Sequence, residues 1–304
     1  MAHIPDGFLS IPVLAGTAGA SAAALALAVR RSRATLGERE GPVLGATTAF
    51  VFAAQMLNFP LGIGASAHLL GAALVAVLLG PAGGMLVIFG VLLVQALLFQ
   101  DGGIAALGAN TFNIAVLGVG SAAAVFGALR AVLGPRPRAV ALAAAAAAWV
   151  STALVGVAVA VELALSGLVP FRAALMLVGG GHLLVGLAEA ALTGTLVSVV
   201  LRARPEVLAR HTQRSTWTPV RAVALGAVIL AVMTLAILAA SSQPDVLEAA
   251  LERAGLAGRD TAMPAPFPDY ASPTGGPWVA GVIGLVAAFL VAWGVAIAIT
   301  RRRA

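Results

Sequence analysis

The chain has four histidines, and the two nearest the amino terminus are candidate metal ligands. His3 lies in the opening stretch MAHIPDGFLS, and His68 lies in NFPLGIGASAHLLG. A neutral imidazole nitrogen is a good ligand for Zn, Cu, Ni and Co ions. The chain contains no cysteine, which excludes thiolate ligands and disulfides. Two interpretations stay open at this point: metal ligands, or packing residues with ordinary hydrogen bonds.

The position of His3 favours the metal interpretation. Ala2 is small, so we expect Met1 to be removed and the mature chain to begin Ala2-His3. A histidine in second place offers the free amine, its own backbone amide and Nδ1, which close two fused chelate rings in one plane. Such a tetragonal nitrogen site favours Ni(II) or Cu(II), and His68 would fill its fourth corner. If Met1 is retained, the tail alone supplies four nitrogens and His68 has no role.

Several polar side chains lie in otherwise apolar surroundings, where such groups are costly and often functional. They are either outer partners that orient the metal ligands or hydrogen-bonding residues between helices, and the sequence favours neither. The candidate outer partners are Asp6, Gln55, Asn58, Asp101, Asn110 and Asn113. Asp6 belongs to a Pro5-Asp6-Gly7 turn, which we expect to fold the chain tip back toward His68.

No arrangement typical of an enzyme is present in the sequence. His182 and Glu189 share one helix face and could pair across a neighbour or form an interface, whereas Ser66 lacks a convincing partner. The chain has no lysine and therefore no GxxxxGK[ST] phosphate-binding loop, and it has no HExxH sequence. We predict no catalytic residues and no cofactor. His211 lies in a basic segment and is interpreted as a solvated polar residue.

The composition indicates an integral membrane protein. Of the 304 residues, 61% are hydrophobic and 10% are charged, against about 25% charged in soluble domains. An apolar stretch of about 20 residues crosses a bilayer, and lipid requires it to be helical. We therefore predict an all-α bundle with nine spans, near 9–29, 43–60, 64–80, 82–99, 112–133, 139–165, 172–200, 221–241 and 277–299. The third and fourth meet at GPAGG (80–84) and could be one broken helix.

The distribution of arginine predicts the orientation. With the amino terminus outside, 15 of the 18 arginines fall in inner segments, as the positive-inside rule requires. The net charge of +6 comes from arginines that are concentrated in the inner segments. We therefore attribute it to membrane orientation and predict no nucleic-acid partner. A basic cytoplasmic linker, 202–220, divides the chain into a seven-span unit (1–201) and a two-span unit (221–304), the latter with an outer loop at 242–276.

The motifs themselves resemble a known family. MAHIPDGFLS, AAQMLNFPLGIGASAHLLG, DGGIAALGANTFNIAVLG and GHLLVGLAEAALTG are similar, in order and spacing, to the NikM/CbiM family. That family is the substrate-binding membrane component of nickel and cobalt energy-coupling-factor importers. The second unit, with QPDVLEAALERAG and PFPDY, resembles the small PDGLE-type partner module, often fused to it. Val246 stands where that module usually has glycine, which puts a glycine turn there in doubt.

The resemblance implies a function and a ligand set. It implies capture of Ni(II) or Co(II) as the transported ion, in a bacterial or archaeal cell membrane. A separate coupling transmembrane component and ATPase subunits would drive uptake, so this chain would not be an enzyme. The implied ligands are the amino terminus at Ala2, the amide and imidazole of His3, and His68.

Two further functions remain alternatives. The first is a metal-binding channel or an intramembrane enzyme that acts without an ATPase partner. The second is a metal sensor or assembly factor in which the loop 242–276 is the active part.

Overall fold

The computed structural model describes residues 3–35, 41–203, 219–241, 243–258, 261, 263–273 and 275–301. Within these ranges the chain is mostly helical, as its composition predicts. The helices are α1 (Ile11–Thr35), α2 (Gly41–Gln55), α3 (Ala72–Val94), α4 (Leu107–Asn110), α5 (Val119–Leu133), α6 (Pro137–Leu165), α7 (Phe171–Ala174), α8 (Gly180–Ala203), α9 (Pro219–Ala239), α10 (Val246–Arg253) and α11 (Gly276–Arg301). One antiparallel hairpin pairs β1 (Phe59–Pro60) with β2 (Ser66–Ala67).

Three π-helical stretches extend or join these helices. Gln95–Phe99 continues α3, Thr111–Gly118 joins α4 to α5, and Leu175–Gly179 joins α7 to α8. A π-helical turn widens a helix locally and is common near functional sites. The first of the three ends two residues before Asp101, one of the polar residues singled out in the sequence.

Six helical segments of the described chain are long and apolar enough to cross a membrane. They are Ile11–Arg33, Ala72–Phe99, Leu107–Leu133, Pro137–Leu165, Phe171–Arg202 and Gly276–Arg301. Apolar helix is also present in α2, which has 15 residues, and in Gly226–Leu238 of α9. The protein is therefore a multi-pass membrane protein. The count of nine spans stays a prediction.

The chain reverses direction inside α3. Gly80 has φ 72° and ψ 174°, which are not helical values and which glycine adopts without steric cost. A Cβ atom on Gly84 would lie 3.1 Å from Val75 Cγ2 and 3.3 Å from the backbone nitrogen of Ala76. In a straight helix, residues nine positions apart are about 13 Å apart. The two halves of α3 therefore pack side by side at the kink, and the first half, residues 72–79, is shorter than the roughly 20 helical residues that cross a bilayer.

The predicted third span needs a correction at its start. Residues 64–71 are not helical; they hold β2 and an irregular stretch, and α3 begins at Ala72. Gly71, just before the helix, has φ 71°, a left-handed value that ends the extended stretch. The consequence is that His68 lies on irregular backbone, where a side chain can point into a site that a continuous helix would not reach.

The two carboxy-terminal helices pack on α2. Ala49 and Ala53 of α2 form one buried cluster with Ile229 and Met233 of α9. α11 approaches so closely that a Cβ on Gly45 would lie 2.9 Å from the backbone oxygen of Phe289. Small residues at such positions allow close helix packing in membranes. Close helix packing therefore docks the second unit on the first. The predicted boundary between the two units, the linker 202–220, stays a prediction, because residues 204–218, His211 included, lie outside the described ranges.

The QPDVLE sequence caps α10. The Asp245 side chain accepts from the backbone N–H groups of Leu247 at 2.7 Å and Glu248 at 2.9 Å. The Glu248 carboxylate accepts from the Asp245 backbone N–H at 2.8 Å. This is a capping box, which satisfies otherwise orphaned N–H groups at a helix start. Val246 begins the helix and is buried, so the module needs no glycine at that position.

Candidate metal site

The amino-terminal segment is held against the loop that precedes α4. The Ile4 backbone N–H donates to Asn110 Oδ1 at 2.7 Å, and Asn110 Nδ2 donates back to the Ile4 carbonyl at 3.0 Å. The Asp6 carboxylate accepts from the backbone N–H groups of Ile104 at 3.0 Å and Ala106 at 2.9 Å. Gly103 donates to the Ile4 carbonyl at 3.0 Å. Together these bonds fix the backbone on both sides of Pro5.

The segment that carries His68 is held from two other helices. Gln55, the last residue of α2, donates from Nε2 to the Leu70 carbonyl at 2.8 Å. The Glu189 carboxylate of α8 accepts from the backbone N–H groups of Leu70 and Gly71. The backbone around His68 is therefore bonded from opposite sides, and 8% of the residue is exposed.

His3, His68 and Asp101 meet in one cluster. Nδ1 of His3 lies 2.6 Å from Oδ1 of Asp101, and the rings of His3 and His68 have centroids 5.0 Å apart. One candidate ligand atom from each of the three residues lies within 4.8 Å of the others. Metal–nitrogen bonds of about 2.0–2.1 Å place trans ligands about 4 Å apart. The cluster needs to contract only slightly to surround an ion.

The electrostatics of the cluster suit a cation. Burial, and then the proximity of His3, lower the pKa of His68 well below its ordinary value, which keeps the imidazole neutral and free to coordinate. Burial acts to raise the pKa of Asp101, but His3 and the Tyr270 hydroxyl outweigh it and hold that pKa well below its ordinary value. Asp101 is therefore ionised. A neutral nitrogen ligand and a carboxylate side by side form a donor set for a divalent metal ion.

One nitrogen of His3 is available for a ligand. Its Nδ1 faces Asp101, whereas its Nε2 is buried and has no hydrogen-bond partner in the described part of the chain. A buried polar atom left unpaired costs free energy, and a bound ion would relieve that cost. The predicted planar chelate uses Nδ1 instead, and would require His3 to exchange Asp101 for the ion.

A cavity of about 660 Å³ adjoins the cluster. Both units of the chain line it, the first with His3, His68 and Asp101 and the second with Asp245, Glu248 and Tyr270. The Asp101 side chain is 22% exposed, so the cluster is accessible from this space.

Most of the predicted outer partners lie at the cluster, with one clear exception. Asn110 and Gln55 bind backbone close to His3 and His68, and Asp6 binds the backbone of the loop 103–106. Asn58, which also lines the cavity, donates to the Ser241 carbonyl at 3.3 Å. Asn113 instead donates to Glu162 at 2.8 Å, inside the helix bundle. Ala2, the predicted amine ligand, lies outside the described residues.

The residues considered for catalysis are used structurally. His182 Nδ1 bonds the Val178 carbonyl of its own helix region at 2.8 Å, and Glu189 bonds the His68 segment rather than His182. The Ser66 hydroxyl donates to the Gln243 carbonyl at 2.7 Å, a bond that ties the hairpin to the second unit. Sequence reasoning missed the Glu189 contact and Tyr270, whose partners lie more than one hundred positions away.

Comparison with known proteins gives consistent matches. A family model described as CbiM, the cobalt uptake substrate-specific transmembrane region, matches residues 3–207. A putative metal transport protein of Haloquadratum walsbyi is 38% identical over 218 residues, which cover 71% of this chain and 98% of that protein. A putative fused nickel transport protein NikMN of Archaeoglobus fulgidus is 33% identical over 291 residues, covering 93% and 94%.

A solved structure described as a truncated transition metal transporter is also similar. It aligns with a TM-score of 0.60 and 30% sequence identity, covering 66% of this chain and 99% of that one.

Proposed function

Because this chain belongs to the CbiM family and carries a second unit, as the fused nickel transport proteins do, we propose that it captures Ni(II) or Co(II) for uptake. The ion is the transported substrate and not a resident cofactor. The observation that carries the proposal is the meeting of His3, His68 and Asp101 within 4.8 Å in a membrane protein. Names of relatives that include nickel and cobalt transport support the choice of ions.

We propose His3 and His68 as the side-chain ligands. Ala2 joins them through its amine once Met1 is removed. Asp101 balances the charge of the ion and, in the mode in which His3 binds through Nε2, orients the ring through Nδ1. The magnetic state of bound Ni(II) distinguishes the two modes of His3 coordination. A planar four-nitrogen chelate through Nδ1 makes Ni(II) diamagnetic, whereas binding through Nε2 with oxygen ligands leaves it paramagnetic.

The proposal includes an orientation and partners. The arginine asymmetry places the His3 end of the bundle outside the cell membrane, where ions arrive. The chain has no lysine, so a Walker-type ATP site must come from other subunits. We propose a coupling transmembrane component and ATPase subunits of an energy-coupling-factor complex. The 1–201 unit binds the ion, and the 221–304 unit, connected by the 202–220 linker, assists its entry.

Metal analysis of purified variants tests the binding function. We expect one Ni(II) or Co(II) per wild-type chain and no stoichiometric metal in His3→Ala or in His68→Ala. His182→Leu is the matched control, because it removes an imidazole of similar burial that lies outside the cluster. Stoichiometric metal in both His3→Ala and His68→Ala would contradict the proposal.

Intact-mass measurement on the same samples tests the role of the chain end. We expect the mass without Met1. An added amino-terminal residue that is not processed should abolish tight binding although every side chain remains. Equal affinity in the extended protein would show that the amine is not a ligand, while leaving the histidine site in place.

Copurification and loop deletion separate the alternatives. A channel or an intramembrane enzyme would need no ATPase, so recovery of a stable complex with an ATPase supports the importer. In a sensor centred on the loop 242–276, deletion of the loop would abolish metal binding. In the importer, measurable binding survives that deletion and transport suffers.

A further inference from the structure

A short segment of the second unit lies directly against the end of α3. The Phe267 backbone N–H donates to the Leu98 carbonyl at 2.9 Å. The Tyr270 ring stacks on Phe99, with centroids 4.6 Å apart and an interplanar angle of 15°. The ring stacking and the main-chain hydrogen bond together fix the position and the orientation of the Tyr270 side chain. The segment 263–273 is thus docked beside the turn that carries Asp101.

Tyr270 extends the hydrogen bonds of the metal cluster. Its hydroxyl donates to Asp101 Oδ2 at 2.6 Å, while Asp101 Oδ1 faces His3 Nδ1 at 2.6 Å. Gln95 Nε2 in turn donates to the Tyr270 oxygen at 3.3 Å. Tyr270 therefore bonds one oxygen of the Asp101 carboxylate, and His3 bonds the other. Tyr270 is the single tyrosine of the chain, and it touches the cluster from a different unit.

We propose that Tyr270 is a positioning residue of the metal site, which holds the Asp101 carboxylate so that the His3 ring faces His68. This inference rests on the proposed capture of a divalent metal ion, in the mode in which His3 binds the ion through Nε2 and keeps its Nδ1 bond to Asp101. It assigns the second unit a direct part in that capture, because the first unit alone contains no group that takes the place of the Tyr270 hydroxyl in the described structure. The site is complete only when the segment 263–273 is docked.

The physical reason lies in the freedom of the carboxylate. A carboxylate bound through one oxygen can rotate, and the imidazole that it holds then rotates with it. Fixing the second oxygen removes that freedom before the ion arrives, so less entropy is lost on binding. Outer partners of this kind typically contribute 10- to 100-fold in metal affinity.

Removal of the hydroxyl alone tests the proposal. Tyr270→Phe keeps the ring on Phe99, and we expect Ni(II) to bind the full-length protein about 10-fold more weakly. The ligand-field spectrum of bound Ni(II) should shift, because the His3 ring is held differently. Thr234→Val is the matched control: it removes a hydroxyl of α9 whose bond goes to Leu230 of the same helix. That variant should bind as the wild type does.

A double-mutant comparison separates positioning from general damage. In an Asp101→Ala background the hydroxyl has nothing to hold, so adding Tyr270→Phe should change the affinity by less than about 2-fold. Equal or tighter binding by Tyr270→Phe alone, or a full additional loss in the double variant, would overturn the proposal. Those outcomes leave the metal site itself intact. Absence of metal from the wild-type protein would instead refute the proposed function.

Discussion

Asn110 binds the backbone of Ile4 through both ends of its amide group, at 2.7 Å and 3.0 Å. The Asn110 amide group therefore bonds both the backbone N–H and the backbone carbonyl of Ile4, as a neighbouring β-strand would. The bond joins residues 106 positions apart and holds the segment that carries His3 in the bundle. Asn110 also leaves little room for a side chain at position 102, since a Cβ on Gly102 would lie 3.0 Å from Asn110 Nδ2.

Asn110→Ala should weaken metal binding. The change removes two buried hydrogen bonds, each worth about 1 kcal/mol, and it frees the segment that carries His3. We expect about a 10-fold or greater loss of Ni(II) affinity, measured by calorimetry. Asn113→Ala is the matched control, because Asn113 bonds Glu162 inside the bundle. It should lower thermal stability and leave affinity unchanged; equal losses of affinity in the two variants would contradict the assignment.

Glu189→Leu should displace His68 indirectly, through the backbone of the residues that follow it. The carboxylate of Glu189 accepts from two backbone N–H groups just after His68, and leucine would leave both buried and unpaired. We expect a loss of about 1–3 kcal/mol in unfolding free energy, together with weaker metal binding. Glu189→Gln keeps an oxygen that can accept both bonds, and should restore most of the stability and affinity. Failure of the glutamine to restore either would indicate that the negative charge, and not the hydrogen bonding, is required.

Gly284→Ala should loosen the contact of α11 with α2. Its Cβ would be placed against the rings of Phe52 and Phe99, less than the normal contact distance away. Overpacking of this kind costs about 1–3 kcal/mol, which thermal unfolding in detergent can measure. Gly294→Ala is the control on the same helix, because nothing lies within 4 Å of its Cβ position. Similar melting temperatures for the two variants would show that α11 is not tightly docked.

The contribution of His68 to the stability of the metal-free protein should fall as the pH drops below the ordinary histidine value of 6.5. The pKa of His68 is lowered in the folded chain, so the unfolded chain takes up the proton first. This contribution is fully present above the unfolded pKa and decreases below it. Thermal unfolding between about pH 7.5 and about pH 5 measures the slope. His68→Gln should flatten it, and an unchanged slope would exclude His68 as its source.

Protons should also compete with the metal ion. An imidazole must be neutral to coordinate, so affinity falls with pH in wild-type protein. The lowered pKa of His68 moves its part of this competition to lower pH than for an ordinary histidine.

Local sequence was enough to predict the class of protein and to single out His3 and His68, which the structure brings into one cluster; their coordination of a metal stays a prediction. The low charge content requires lipid, and the arginine pattern indicates an orientation. The position of His3 near the chain end and the short motifs around His68 carry their information within a few residues. The same holds for GPAGG, because only a glycine with positive φ allows the reversal at Gly80. Local backbone chemistry determines all of these features.

Only the tertiary structure decided which polar groups meet. Asp101 and Asn113 looked alike in the sequence, yet one faces His3 and the other faces Glu162. Tyr270 reaches Asp101 across 169 positions, because α9 and α11 dock on α2 and carry the intervening loop to the site. Such contacts depend on the packing of helices against one another, which no spacing between residues encodes. The sequence by itself determined the ligands that it could offer, and the packing determined their partners.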